Sequence, residues 1–367
     1  LELNIEKGKI SNLQLILLLT GYLEGAIYSV SFTANLSKHD AWLTVLVGFI
    51  INVLFGYVYA LLIKRFPGRN LVDIHKIIYG RYLGTAVSLY YLSYSLLLLA
   101  FMAKITSDFY NIFFMRETPR EIILIVFTCV YAYAVWNGIE VLARVTPFVV
   151  TILSLVIFGT TSMLLPKMDF TNFLPIGELP LIDFVHSTQI TTEIPIGIIA
   201  TIFLSIAFTV NDHRRVEKAL LSSILLGTFI FMLITIQNTA VLGNTEAIFY
   251  SPAFHASRLI NIGFLSRLDI LFAFGYTLGQ FLMCAIFFYI TALLLSQILG
   301  LRTYLPLLFP LGCIVVILAM IVYPSVTAHL QSIQNVEIWF FLPAMFIFPP
   351  LSLLIAKIRN LPKKGYR

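Results

Sequence analysis

Apolar runs of about twenty residues or more recur from one end of this 367-residue chain to the other, and that recurrence fixes the solvent in which it folds. An α-helix rises about 1.5 Å per residue, so about twenty mainly apolar residues cross the roughly 30 Å hydrocarbon layer of a bilayer. On that rule the sequence predicts ten spans: 11–36, 41–63, 82–114, 119–138, 140–165, 183–211, 216–242, 264–298, 304–323 and 336–357. With 59% hydrophobic and only 11% charged residues, the chain holds more apolar surface than a water-soluble fold of this size can bury. The expected class is an all-α polytopic membrane protein. Lys7 and Lys9 precede the first run, which is too long for a signal-peptide core and has no small-residue cleavage site, so it reads as the first membrane helix.

The basic residues orient the spans. With the N-terminus inside, only Lys38, Arg116, Arg120, Lys167, Arg258 and Arg267 of the 24 Lys and Arg fall outside; Lys104 lies within a span and the rest fall inside. That asymmetry predicts an even number of spans with both termini inside. The formal charge of +6 follows the membrane in this way and carries no nucleic-acid signal. Between the second and third spans, NLVDIHKIIY (70–79) has helical apolar spacing and predicts a short interfacial helix. The longest connections are 166–182, where Pro175, Gly177 and Pro180 oppose regular structure, and 243–263, where a short helix is expected after Pro252.

Two spans carry interruptions. In TGYLEGAIYS (20–29), Gly21 and Gly25 flank Glu24 about fourteen residues into the membrane. One reading is a Gly-xxx-Gly packing face, a spacing that Gly80/Gly84 and Gly275/Gly279 share. The other is an unwound segment lining a polar cavity, which a mid-membrane carboxylate favours. In the sixth span, HSTQITTEIPIGIIA (186–200) is polar and then breaks at Glu193, Pro195 and Gly197. Five spans separate the two breaks, so they enter from opposite sides. Interrupted helices at matching places predict an inverted repeat with a central binding site: one transmembrane domain, repeat one about 11–165 and repeat two about 183–357. The ligand-binding candidates are Gly21, Tyr22, Glu24, Gly25 and Ala26 at the first break and Glu193, Ile194 and Gly197 at the second. Tyr94 on the third span and Tyr276 and Gln280 on the eighth lie at comparable depth. A half-helix resuming near Ile27 would offer free N–H groups to a ligand carboxylate, and Glu24 would attract an ammonium group.

Other charged and polar residues read as structural. Lys104 and Asp108, four apart on one helix face, predict an ion pair, as do Glu140 and Arg144. The six histidines sit at span edges, in loops or in the interfacial helix, with no metal-ligand grouping. Cys129, Cys284 and Cys313 are far apart inside apolar runs and read as small packing residues. No phosphate-binding loop, nucleophile elbow or zinc-protease motif occurs. We therefore expect no catalytic residues, no metal and no cofactor. Two functions fit such a pocket: a ligand-sensing receptor subunit, or a secondary transporter of amino acids or amines coupled to protons or sodium.

Several segments resemble a known family. KISNLQLILLL followed by a glycine-bearing break and AWLTVLVGFI, then TPREIILIVFTCVYAYAVWNGIEVLARVTPFVVTI, MDFTNFLPI, SPAFHASRLINIGFLSRLDILF and YPSV (323–326) are similar, in that order, to the B subunits of endospore germinant receptors. These spore germination permeases form a branch of the amino acid–polyamine–organocation transporter superfamily. Arg267 and Asp269 stand at the family's basic and acidic positions. The chain departs from the family pattern at Glu24-Gly25-Ala26, at Ser31-Phe32, and after Gly197, where a common glutamate is missing. The resemblance implies a ten-helix, five-plus-five inverted-repeat (LeuT-like) fold with broken first and sixth helices. It also implies residence in the inner membrane of a spore and recognition of a small nutrient, usually an amino acid. The implied partners are a receptor A subunit and a lipoprotein C subunit.

Overall fold

A computed structural model describes residues 8–26, 36–260 and 269–362; Ser31, Phe32, Arg267 and the half-helix expected from Ile27 lie outside the described residues. Helices fall on all ten apolar runs. The seven longest candidate spans, which include short flanking turns, are Lys38–Arg65, Arg81–Phe113, Gly138–Lys167, Leu181–Thr209, Val216–Ile248, Asp269–Leu299 and Thr327–Ile358. Asn12–Gly25, Arg120–Trp136 and the shorter apolar helix Leu305–Ile321 occupy the remaining runs. The spans are numbered 1 to 10 in chain order below.

Local sequence sets several of the ends. Span 1 starts at a capping box: the Ser11 hydroxyl accepts from Gln14 N at 3.1 Å, and the Gln14 side chain accepts from Ser11 N at 2.8 Å. The interfacial helix is Leu71–Tyr79, capped by Asn70 and ended by Gly80 at φ 86°, a conformation that favours glycine. It lies tight on span 3, because a Cβ on Gly84 would stand 2.5 Å from the His75 carbonyl oxygen. After span 7, the helix expected past Pro252 is Pro252–Arg258. The 165–182 connection holds only two short 3₁₀ turns, Leu165–Lys167 and Phe170–Phe173.

Span 10 differs from the sequence expectation. Its helix begins at Val326 rather than 336, started by Ser325, whose hydroxyl accepts from Ala328 N at 3.2 Å. It then widens into π turns at Ile333–Glu337 and Pro343–Ile347. A proline cannot donate a helical hydrogen bond, and such defects leave carbonyls to be satisfied from elsewhere. Tyrosines from spans 2 and 3 supply the donors: Tyr90 to Phe340 O, Tyr91 to Ala344 O and Tyr59 to Met345 O.

Spans 1, 3, 6 and 8 make the interior. Span 1 packs on spans 5, 7 and 8, and span 8 packs on spans 3, 4 and 5. The segment before span 1 is tied to the end of span 6, where Ile10 N donates to Thr209 O and Asn211 N donates to Ile10 O, both at 3.0 Å. Large apolar side chains face outward on the peripheral spans, among them Tyr133, Phe148, Leu155 and Ile317, as a lipid-facing surface requires. Glu140 and Arg144 pair at 3.4 Å as expected. The charge interaction expected between Lys104 and Asp108 is shared: Asp108 pairs with Arg120 at 3.5 Å and also feels the Lys104 charge, while Lys104 Nζ lies 4.9 Å from the centre of the Tyr323 ring. Arg120 opens span 4 beside the end of span 3, so its longer side chain reaches the same carboxylate.

Candidate functional site

The break in span 6 has a local cause. Ile194 precedes a proline, and the proline ring disfavours helical backbone in the residue before it. Ile194 is accordingly extended, at φ −123° and ψ 113°, between the helices Leu181–Thr191 and Ile198–Ile206. The Thr192 carbonyl at the break accepts from Asn52 Nδ2 of span 2 at 2.9 Å. Gly48 lets span 2 come this close: a Cβ there would stand 3.1 Å from Thr192 Oγ1. Glu193 is buried, with Oε1 accepting from Gln189 Nε2 at 3.1 Å and Oε2 without a hydrogen-bond partner among the described residues. Gly197 sits under the Thr192 carbonyl and Met345, with no room for a Cβ.

Span 1 stops being α-helical at Gly25, and Ala26 caps it at φ −75° and ψ 12°. The Gly25 carbonyl accepts from Gln280 Nε2 at 3.0 Å, while Gln280 Oε1 accepts from Thr106 at 3.4 Å. The glycines serve packing. A Cβ on Gly25 would lie 2.7 Å from Gly279 O, one on Gly279 would lie 2.7 Å from Gly25 Cα, and one on Gly21 would meet Leu282 and Val150. Glu24 turns toward span 5, where Oε1 accepts from Ser154 Oγ at 2.6 Å; Oε2 has no partner among the described residues.

Between the two breaks lies a cavity of about 40 Å³, roughly the space of three water molecules. Spans 1, 6 and 8 contribute Tyr22 and Ala26, Ile194 and Ile198, and Gln280 and Met283. Span 3 contributes Leu98, Phe101, Met102 and Ile105; span 10 contributes His329, Ile333, Glu337 and Phe341. Of the residues expected from sequence, Tyr22, Ala26, Ile194 and Gln280 line this space. Gly21, Glu24, Gly25, Glu193 and Gly197 stand behind it, at the breaks. Tyr94 packs edge-on against Phe341 at 5.3 Å, and Tyr276 lies against Phe109 at 4.1 Å. Sequence reading missed His329 and Glu337. The available signal was Glu337 itself, a charge inside the apolar run assigned to span 10. Among the described residues no group of three or more His, Cys, Asp or Glu is placed to hold a metal ion.

The family model for spore germination proteins matches residues 9–329. The spore germination protein KB of Bacillus subtilis is 25% identical over 98% of this chain and 99% of its own length. The spore germination protein B2 of the same organism is 21% identical, over 74% and 75% respectively. Among solved structures, MhsT in complex with L-phenylalanine superposes with a TM-score of 0.71 at 14% identity, covering 95% of this chain and 89% of that one. MHP1, a nucleobase-cation-symport-1 family transporter with bromovinylhydantoin bound in a closed conformation, gives 0.73 at 14% identity, covering 100% and 84%. At such identities these likenesses show the fold: ten helices in the five-plus-five inverted-repeat arrangement, with the first and sixth broken.

Proposed function

The chain belongs to the spore germination protein family, and from that premise we propose that it is the nutrient-sensing membrane subunit of a germinant receptor. It is a multi-pass membrane protein with a transporter-like fold, in a family of permeases rather than enzymes. The observation that carries the sensing role is the cavity: small, and walled by residues from both broken spans together with spans 3, 8 and 10. A ligand there contacts the loosened turns of spans 1, 6 and 10 at once, so its binding energy can bias how those segments are arranged. The reading includes an amino-acid ligand. It places the protein in the spore inner membrane with both termini inside, alongside an A subunit and a lipoprotein C subunit. It also takes residues 11–165 and 183–357 as the two repeats. Glu24 and Glu193, each a buried carboxylate at a break with one oxygen unpartnered among the described residues, are the groups that would register a proton or cation.

Deleting the chain from its spore should abolish the response to one nutrient and spare germination by routes that bypass receptors. The transporter-like fold of its structural neighbours favours a second reading, coupled uptake. Robust gradient-driven uptake of labelled amino acids by the purified protein in proteoliposomes, with germination unaffected by the deletion, would establish that reading instead.

A further inference from the structure

Among the fourteen residues that line the cavity, one is a carboxylate, and it comes from neither broken span: Glu337. Its side chain is 7% exposed, and Oε1 has no hydrogen-bond partner among the described residues. The nearest cationic candidate, His329 Nε2, stands 3.9 Å from Oε1, beyond hydrogen-bond length. The His329 ring is held away by stacking, 4.1 Å from Tyr323 at 3° and 5.4 Å from Phe101 at 11°. The other charged groups nearby are committed. Arg120 pairs with Asp108, which also accepts from the Tyr323 hydroxyl at 3.4 Å, and Lys104 sits over the Tyr323 ring. No lysine or arginine among the described residues makes an ion pair with Glu337.

A buried carboxylate oxygen without a donor is costly, and an isolated charge more so. A ligand hydroxyl would supply the missing hydrogen bond but not the charge. An ammonium group supplies both, and the Phe101 ring that also lines the cavity is a favourable kind of neighbour for a cation. Tyr22, from span 1, also lines the cavity, and its hydroxyl is buried without a partner among the described residues, a donor suited to a carboxylate or carbonyl. Apart from Gln280 and His329 the remaining lining is apolar, and the space is small. We propose that Glu337 is the ammonium-recognition residue of this cavity, which therefore selects small amine-bearing ligands, short-chain amino acids among them. This inference rests on the reading of the cavity as the sensing site.

The test uses the full chain in lipid nanodiscs and calorimetric titration with matched sets: alanine, ethylamine and propionate; glycine, methylamine and acetate; and a hexose. The variants are Glu337→Gln, which keeps the shape, and Ile198→Phe, which fills the cavity; gel filtration and melting temperature check folding. Wild type should bind the amine-bearing members at least tenfold more tightly than the deaminated acids. Glu337→Gln should weaken amine binding tenfold or more and leave any acid binding unchanged, and Ile198→Phe should remove both. Should Glu337→Gln fold poorly, Glu337→Asp, which withdraws the carboxylate by one methylene, takes its place, and amine binding within twofold of wild type there overturns the assignment. Equal binding of acid and amine, or of the hexose alone, or amine binding that ignores Glu337→Gln, overturns the amine assignment while the cavity reading stands if Ile198→Phe abolishes binding. Absence of all binding to wild type, or binding that survives Ile198→Phe, removes the cavity reading and the assignment with it.

Discussion

A single methyl group at position 25 or 279 tests whether the first break is anchored by backbone contact. A Cβ at 25 would come within 2.7 Å of Gly279 O and 2.8 Å of Met283 Sδ; one at 279 would come within 2.7 Å of Gly25 Cα. In both cases the obstacle includes backbone, which cannot rotate aside as a side chain can. Overpacking of this kind typically costs about 1–3 kcal/mol. Gly159, on span 5, provides the control: it has nothing within 4 Å of its added Cβ, and alanine gains up to about 1 kcal/mol over glycine in helix propensity. Cys284 is fully buried on span 8, a little over one turn beyond Gly279, whereas Cys129 and Cys313 are exposed. With the latter two replaced by serine, Cys284 becomes a reporter of opening. When opening limits access through a pre-equilibrium, a loss of about 1–3 kcal/mol raises the labelling rate by roughly 5- to 150-fold. We therefore expect Gly25→Ala and Gly279→Ala to accelerate modification of Cys284 within that range, and Gly159→Ala to leave it unchanged or slow it. Rates for Gly25→Ala and Gly279→Ala within twofold of wild type would refute the claim that these glycines hold spans 1 and 8 together. So would an equal acceleration by Gly159→Ala.

Three further outcomes follow from other parts of the fold. Asn52→Ala should strip the Thr192 carbonyl of its donor at the second break and cost about 1–3 kcal/mol, read as faster Cys284 labelling; an unchanged rate would mean the break needs no such support. Burial in the interfacial helix pushes the His75 imidazole down to about 3 from 6.5, so the folded state favours the neutral ring. Its contribution is complete above pH 6.5 and falls as the pH drops toward 3, reaching a loss of about 2 kcal/mol at pH 5; melting at pH 7 and pH 5 should show this in wild type and less of it in His75→Gln. With both termini inside, a cysteine in the 64–81 connection should resist impermeant thiol reagents applied outside, while one at Asn172 should react; labelling of both from the same side would contradict the proposed orientation.

Most of the span map was legible because lipid imposes a simple rule: long apolar runs become helices, and departures stand out. The break at Ile194 was legible for the same reason, since Pro195 in an apolar run dictates extended backbone before it. Where the sequence misled, it was about faces. Hydropathy averages around the helix, so the polar stretch from His329 to Glu337 resembled a loop and moved the expected start of span 10 to 336. In the structure that stretch is helical, and His329 and Glu337 point into the cavity. At Glu24 spacing was silent rather than misleading. A carboxylate between two glycines reads as a ligand contact, and one of its oxygens accepts from Ser154 of span 5, a neighbour that spacing along one helix cannot reveal. The Lys104–Asp108 spacing was likewise only part of the picture, because Arg120 arrives from the next span and takes up the same carboxylate.

The structure shows how three loosened helices coexist in a layer without water. A backbone group left unpaired in hydrocarbon costs several kcal/mol, so irregular backbone persists only where protein or a polar cavity satisfies it. Each irregular segment here has its own side-chain substitutes: Gln280 on the Gly25 carbonyl, Asn52 on the Thr192 carbonyl, and Tyr59, Tyr90 and Tyr91 on the carbonyls of span 10. Purely structural interruptions could be scattered through the bundle. These three contribute to one cavity, and their substitutes reach in from spans 2, 3 and 8. Side-chain hydrogen bonds of this kind contribute about 0.5–1.5 kcal/mol each, and the one from Gln280, which also lines the cavity, is within reach of a ligand there. A small molecule that takes up Glu337 and the Tyr22 hydroxyl would therefore act on elements already held by weak, replaceable contacts. Under the proposed reading, Gln280 alone among these substitutes both holds a break and lines the cavity, so it is the side chain through which a bound molecule would reach span 1.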